Sequence, residues 1–141
     1  MLKNLDTLLT GSLLKILDEM GHGDVLGLVD RNFPAYRYGA PVIDLRGADT
    51  DAAARALLQV FPLDGFVESP VQRMEIDGEP ETVTDATRAL AGIAAEAEGS
   101  EITIASLERF DFYEQAKAAV AFVHTGETIP YSCYLLRKGV V

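Results

Sequence analysis

His22 stands between Gly21 and Gly23 and is one of only two histidines in the chain. Flanking glycines leave its backbone free to take conformations that other residues resist. Imidazole is the side chain suited to moving a proton near neutral pH. A short apolar run then leads to Asp30, a carboxylate that either caps the loop after it, as turn aspartates commonly do, or is presented to a pocket. Arg109 lies in Glu108-Arg109-Phe110-Asp111. In a pocket, its fixed fork of donors would suit vicinal hydroxyls or a developing oxyanion. At the surface it would only pair with an acidic neighbour, which is worth little. Tyr113 follows Arg109 by one helical turn on the same face. His124 closes an apolar strand and reads as a strand-end residue.

These groups must be held by elements that the hydrophobic pattern locates. Leu13, Leu14, Ile16, Leu17 and Met20 have helical spacing, and Gly21 is a natural stop. Val25 to Val29 suits a buried strand, Phe33-Pro34 starts a loop, and Val42 to Leu45 reads as a second strand. Thr50-Asp51 opens a helix that runs to Phe61. Pro62, Asp64, Gly65 and Pro70 mark connecting segments. A strand at Val71 to Ile76, a turn at Asp77-Gly78 and an alanine-rich helix at Thr84 to Glu98 follow. The rest reads as a strand at Ile102 to Leu107, a helix at Phe110 to Ala118, and strands at Ala119 to Val123 and Tyr131 to Leu136. Alternating strands and helices predict an α/β fold: a single three-layer domain over residues 1–141, with helices on both faces of a mainly parallel sheet. In such sheets, sites form beyond the carboxyl ends of strands. Asp30 and Arg109 fit that rule. His22 precedes its strand, so the fold or a neighbouring subunit must bring it to them.

Composition narrows the function classes. The net charge of −10 argues against a nucleic-acid partner and against an anionic membrane surface. One cysteine allows no intrachain disulfide, which fits a cytoplasmic protein. No apolar stretch is long enough to span a bilayer. Two scattered histidines and one cysteine supply no recognisable metal set. No nucleotide-binding glycine motif is present, so no cofactor is expected.

Met20-Gly21-His22-Gly23-Asp24 with Val29-Asp30-Arg31-Asn32-Phe33-Pro34-Ala35 resembles the start of the small sugar mutarotases, the L-fucose mutarotase and D-ribose pyranase family. The resemblance continues in Glu108 to Glu114, Thr125-Gly126-Glu127-Thr128 and Leu136 to Val140. Arg109 with Phe110, Phe112 and Tyr113 is closer to the fucose type, since the ribose type usually carries histidine in that block. The resemblance implies a cofactor-independent isomerase that interconverts the α and β anomers of a free sugar such as L-fucose. It implies His22 and Asp30 as catalytic residues, with Asp30 orienting His22 or binding a hydroxyl. Arg109, Tyr113, Tyr131 and Cys133 would bind the substrate. Where the family usually reads Tyr-Gly-Asn or Tyr-Ala-Asn, this chain has Tyr131-Ser132-Cys133. The thiol donates and accepts only weakly in place of an amide, and no adjacent base would make it a nucleophile. The resemblance further implies a ring-shaped homo-oligomer with sites near subunit interfaces. The alternative is a non-catalytic monosaccharide-binding module that partners sugar uptake or metabolism.

Overall fold

Leu13 and Leu17 put the apolar face of the first helix, α1 (Gly11–Glu19), into the core. Thr10 caps its start, its Oγ1 accepting the Leu13 N–H at 3.2 Å. Lys138 closes its other end, donating from Nζ to the carbonyls of Leu17 at 2.6 Å and Met20 at 2.5 Å. A cation there also opposes the helix dipole. The computed structural model describes all 141 residues. Strand β1 (Val25–Val29) comes next, then a 3-10 turn at Ala35–Tyr38 and β2 (Val42–Leu45). Helix α2 (Thr50–Leu58) is capped by Asp49 and buries Ala53, Ala54, Ala56 and Leu57. After β3 (Val71–Met74), α3 (Asp85–Glu98) is capped by Thr84 and stopped by Gly99 in the left-handed region. Strand β4 (Ile104–Leu107), α4 (Arg109–Ala116), β5 (Ala119–Thr125) and β6 (Tyr134–Arg137) complete the chain.

The six strands form one sheet in the order β2-β5-β1-β6-β3-β4. Five run in the same direction, and β6 runs against them between β1 and β3. The expected α/β fold with a mainly parallel sheet is present. Strand alternation feeds two cores. Leu26, Leu28, Val123, Tyr134 and Leu136 face α1, α2 and α3. Val29, Phe122, Leu135 and Cys133 face α4 and the 3-10 turn. Helical elements therefore cover both faces, as expected.

Two local differences from the sequence expectation matter for the site. The last strand starts at Tyr134 and not at Tyr131, because Tyr131 has φ 63° and a left-handed residue cannot continue an extended strand. The segment after Pro34 winds into a 3-10 turn where only a loop was expected; Arg37 N–H reaches the Pro34 carbonyl at 3.1 Å. No helix is long and apolar enough to cross a membrane.

The reversed strand has a geometric consequence. The carboxyl ends of β1 to β5 and the start of β6 share one edge of the sheet, here the carboxyl edge. The starts of those five strands and the end of β6 share the opposite, amino edge.

Candidate active site

Asp30 leaves β1 at the carboxyl edge and is 6% exposed. Its Oδ1 accepts the N–H groups of Asn32 at 2.9 Å and Phe33 at 3.0 Å. The turn-capping role is therefore real. It fixes Phe33, whose ring is parallel to Tyr38 at 5.7 Å and meets Phe112, Tyr113 and Phe122 within 6 Å. Tyr113 and Tyr131 are half-buried against this aromatic cluster. The left-handed backbone of Tyr131 costs about 1–3 kcal/mol, the kind of strain that collects at functional sites.

Cys133 follows on the same edge and is 2% exposed. Its carbonyl accepts the Met74 N–H at 3.0 Å. Burial first, and then the Asp30 charge, push its thiol well above the ordinary value. Cys133 is thus a neutral thiol beside Asp30, which excludes thiolate attack near neutral pH.

Arg109 opens α4, with Glu108 as the cap; Glu108 Oε2 accepts from Phe110 N at 2.8 Å and Asp111 N at 3.2 Å. The Arg109 Nε is 3.1 Å from Asp77 Oδ2. The angle is not that of a hydrogen bond, so this buried N–H has no acceptor. The guanidinium lies 4.7 Å from the Phe110 ring centre. Arg109, Glu75, Asp77 and Glu108 line a cavity of about 290 Å³, enough room for a small polyol.

His22 is at the amino edge. Its side chain is 46% exposed, and Nε2 is 3.1 Å from Oδ1 of buried Asp64. The Phe66 ring is 5.5 Å away and tilted by 56°. His22 lines a largely apolar cavity of about 460 Å³ with Leu14, Leu17, Met20, Val60 and Val140. Within one chain His22 does not meet Asp30, because the whole of β1 separates them, a span of about 15 Å. Its carboxylate partner in the chain is Asp64.

The model for the RbsD / FucU transport protein family matches residues 3–141. The chain belongs to this family. Among its RbsD / FucU relatives, the protein called L-fucose mutarotase in Haemophilus influenzae (strain 86-028NP) is 39% identical over 141 residues, covering 99% of this chain and 97% of the relative. The crystal structure of a fucose mutarotase from Streptococcus pneumoniae, in complex with L-fucose, superposes with a TM-score of 0.91 at 35% identity, covering 99% of each chain. The structure of Bacillus subtilis RbsD complexed with D-ribose superposes with a TM-score of 0.76 at 25% identity, covering 100% of this chain and 99% of that one. Of these two, the fucose protein is nearer in both sequence and shape, in line with the Arg109 block.

The structure brings Asp30, Arg109, Tyr113, Tyr131 and Cys133 to one edge and sets His22 apart. Sequence reasoning missed Asp64 and Lys138. Asp64 lies in Pro62-Leu63-Asp64-Gly65, which reads only as a connection. No local pattern ties it to a histidine 42 residues earlier. Lys138 lies in a block that carried the family resemblance, yet nothing there signals its bonds to α1.

Proposed function

We propose that this chain is a sugar mutarotase acting on L-fucose or a similar free aldose. The observation that carries the reading is the full-length match to proteins called L-fucose mutarotase, one of them solved with L-fucose bound. The chemistry demanded is small. A base takes the proton of the anomeric hydroxyl while an acid protonates the ring oxygen. The C1–O5 bond then opens to the aldehyde. Rotation about C1–C2 and reclosure on the other carbonyl face give the second anomer. Positioned side chains typically accelerate such transfers by about 10²–10⁴-fold.

His22 moves the proton in this reading. Asp30, Arg109, Tyr113 and Tyr131 hold hydroxyls and the ring oxygen, and buried Cys133 backs the site behind Asp30. The opposite placement of His22 then calls for two copies: the carboxyl edge of one chain faces the amino edge of the next, and repetition of that contact closes a ring. The half-exposed imidazole beside Phe66, which is 78% exposed, supports a covered amino edge.

The test is exchange NMR on free L-fucose, D-ribose, L-rhamnose and D-galactose. Faster exchange between the α and β anomeric signals of one sugar is expected, lost by about 10²-fold or more in His22→Ala. An assembled His22→Ala protein with the wild-type rate would remove His22 from the mechanism. A second reading, a binding module without turnover, is favoured by the thiol at Cys133, a weak hydrogen-bonding group where the family resemblance implies an amide. Sugar binding without accelerated exchange in the wild-type protein would select it.

A further inference from the structure

His22 and Asp64 reach each other from two separate turns, and both turns are tied to the same three residues at the end of β6. Gly23 N–H donates to the Lys138 carbonyl at 2.8 Å, and Arg137 Nη1 donates to the Gly23 carbonyl at 3.1 Å. On the other side, Asp64 N–H donates to the Arg137 carbonyl at 3.1 Å and Gly139 N–H to the Pro62 carbonyl at 2.9 Å. Gly139 approaches so closely that a Cβ there would lie 2.4 Å from the Leu63 carbonyl oxygen. The two turns are therefore fixed relative to one another, and the contact between their side chains follows from that framework.

The contact sets the state of the ring. Asp64 Oδ1 lies 3.1 Å from His22 Nε2 and also accepts the Phe66 N–H at 3.0 Å. A carboxylate offers only lone pairs, so Nε2 must bring the proton. Asp64 is ionised across the neutral range: the Phe66 N–H first, and then His22, hold its carboxyl below the ordinary value against the opposing effect of burial. Neutral His22 is then the Nε2–H form, and the free lone pair is on Nδ1. The other charged neighbours do not replace this partner. Lys138 is bound to the carbonyls of Leu17 and Met20, Arg137 to that of Gly23, and Asp18 lines the same cavity without a bond to the ring.

We propose that Asp64 is the positioning residue for His22: it holds Nε2–H and leaves Nδ1 as the atom that takes and returns the sugar's proton. The second half of this statement rests on the mutarotase reading above; the first does not. The partner of a histidine decides which nitrogen is available for chemistry. The same logic predicts loss of turnover more than loss of affinity when the partner is removed.

The decisive measurement is ¹⁵N NMR of the imidazole nitrogens through an alkaline pH series, read on the plateau where the signals no longer move with pH. With two histidines in the chain, His22→Ala assigns the signals. Wild-type His22 should show a protonated Nε2 and a bare Nδ1. In Asp64→Ala the signals should move to the tautomer mixture of a free imidazole, while kcat falls about tenfold to a hundredfold and KM changes by less than about threefold. Asp64→Asn keeps an Oδ1 acceptor for both N–H groups, so it should retain the Nε2–H form and recover part of kcat. A wild-type ring protonated at Nδ1, or an Asp64→Ala protein with wild-type kcat, overturns the proposal. Should Asp64→Ala fail to fold, the wild-type tautomer and the asparagine variant still decide. Should the wild-type protein exchange no sugar, the mutarotase reading falls, and the ring spectrum separately reports whether Asp64 holds His22.

Discussion

Tyr131 holds a backbone conformation that tyrosine rarely adopts. A tyrosine at φ 63° is strained by about 1–3 kcal/mol, and glycine would adopt the same backbone freely. Tyr131→Gly removes that strain but also loses ring packing and adds freedom to the unfolded chain. These effects oppose, so the stability change should stay within about 1 kcal/mol by thermal unfolding. Sugar affinity should nevertheless fall at least about tenfold in an NMR titration, the loss of one well-placed polar and stacking contact. Binding equal to wild type would leave the strained tyrosine without a part in the site. The sequence placed Tyr131 among the candidates but put it in a strand, since tyrosine favours strands and rarely goes left-handed. Asp30 was legible as either a cap or a pocket group. The structure shows that it caps the turn and also that it lies against Cys133. Asp64 was not legible at all, because its partnership depends on two turns meeting in space.

At the level of elements, β1 and β5 pair side by side, and the Phe122 ring of β5 lies over Gly27 in the middle of β1. A Cβ on Gly27 would lie 2.3 Å from Phe122 Cδ1 and 2.7 Å from its Cε1. Phe122 is fully buried and packs on Phe33 and Tyr38, with ring centres 5.6 and 5.1 Å away, so it has little room to yield. Gly27→Ala should therefore destabilise by about 1–3 kcal/mol in urea unfolding, as overpacked cores do. The displaced Phe122 would press on Phe33, whose N–H is held by Asp30, so anomer exchange should fall with stability. A Gly27→Ala protein as stable as wild type would mean that the ring can move aside. Most of the strands and helices were legible from periodicity, to within a few residues at their ends. Val25 to Val29 was legible as a buried strand, but nothing local says which ring its Gly27 must admit.

For the whole molecule, the decisive fact is that the candidate groups divide between two edges of one sheet. If each site takes the carboxyl edge of one chain and the amino edge of the next, His22→Ala and Arg109→Ala proteins should each be impaired alone. Mixed subunits prepared by co-refolding should regain part of the activity, up to about a quarter of wild type for random pairing in closed rings. No recovery in mixed assemblies would confine the site to one chain. The alternation of elements predicted a parallel sheet, and five strands obey it. What it could not predict was one strand running backwards through the middle, because strand direction is fixed by how the chain returns and not by the residues of the strand. That reversal is why Tyr131 and Cys133 arrive at the edge of Asp30 and Arg109. It also bears on how the protein is made. Strand β6 is the last in sequence yet sits inside the sheet, between β1 and β3. Until about residue 137 has left the ribosome, β2-β5-β1 and β3-β4 remain two separate ribbons, each with an open edge and half a core. A nascent chain in that state must be shielded or finish quickly, because unpaired apolar strand edges are what aggregation starts from.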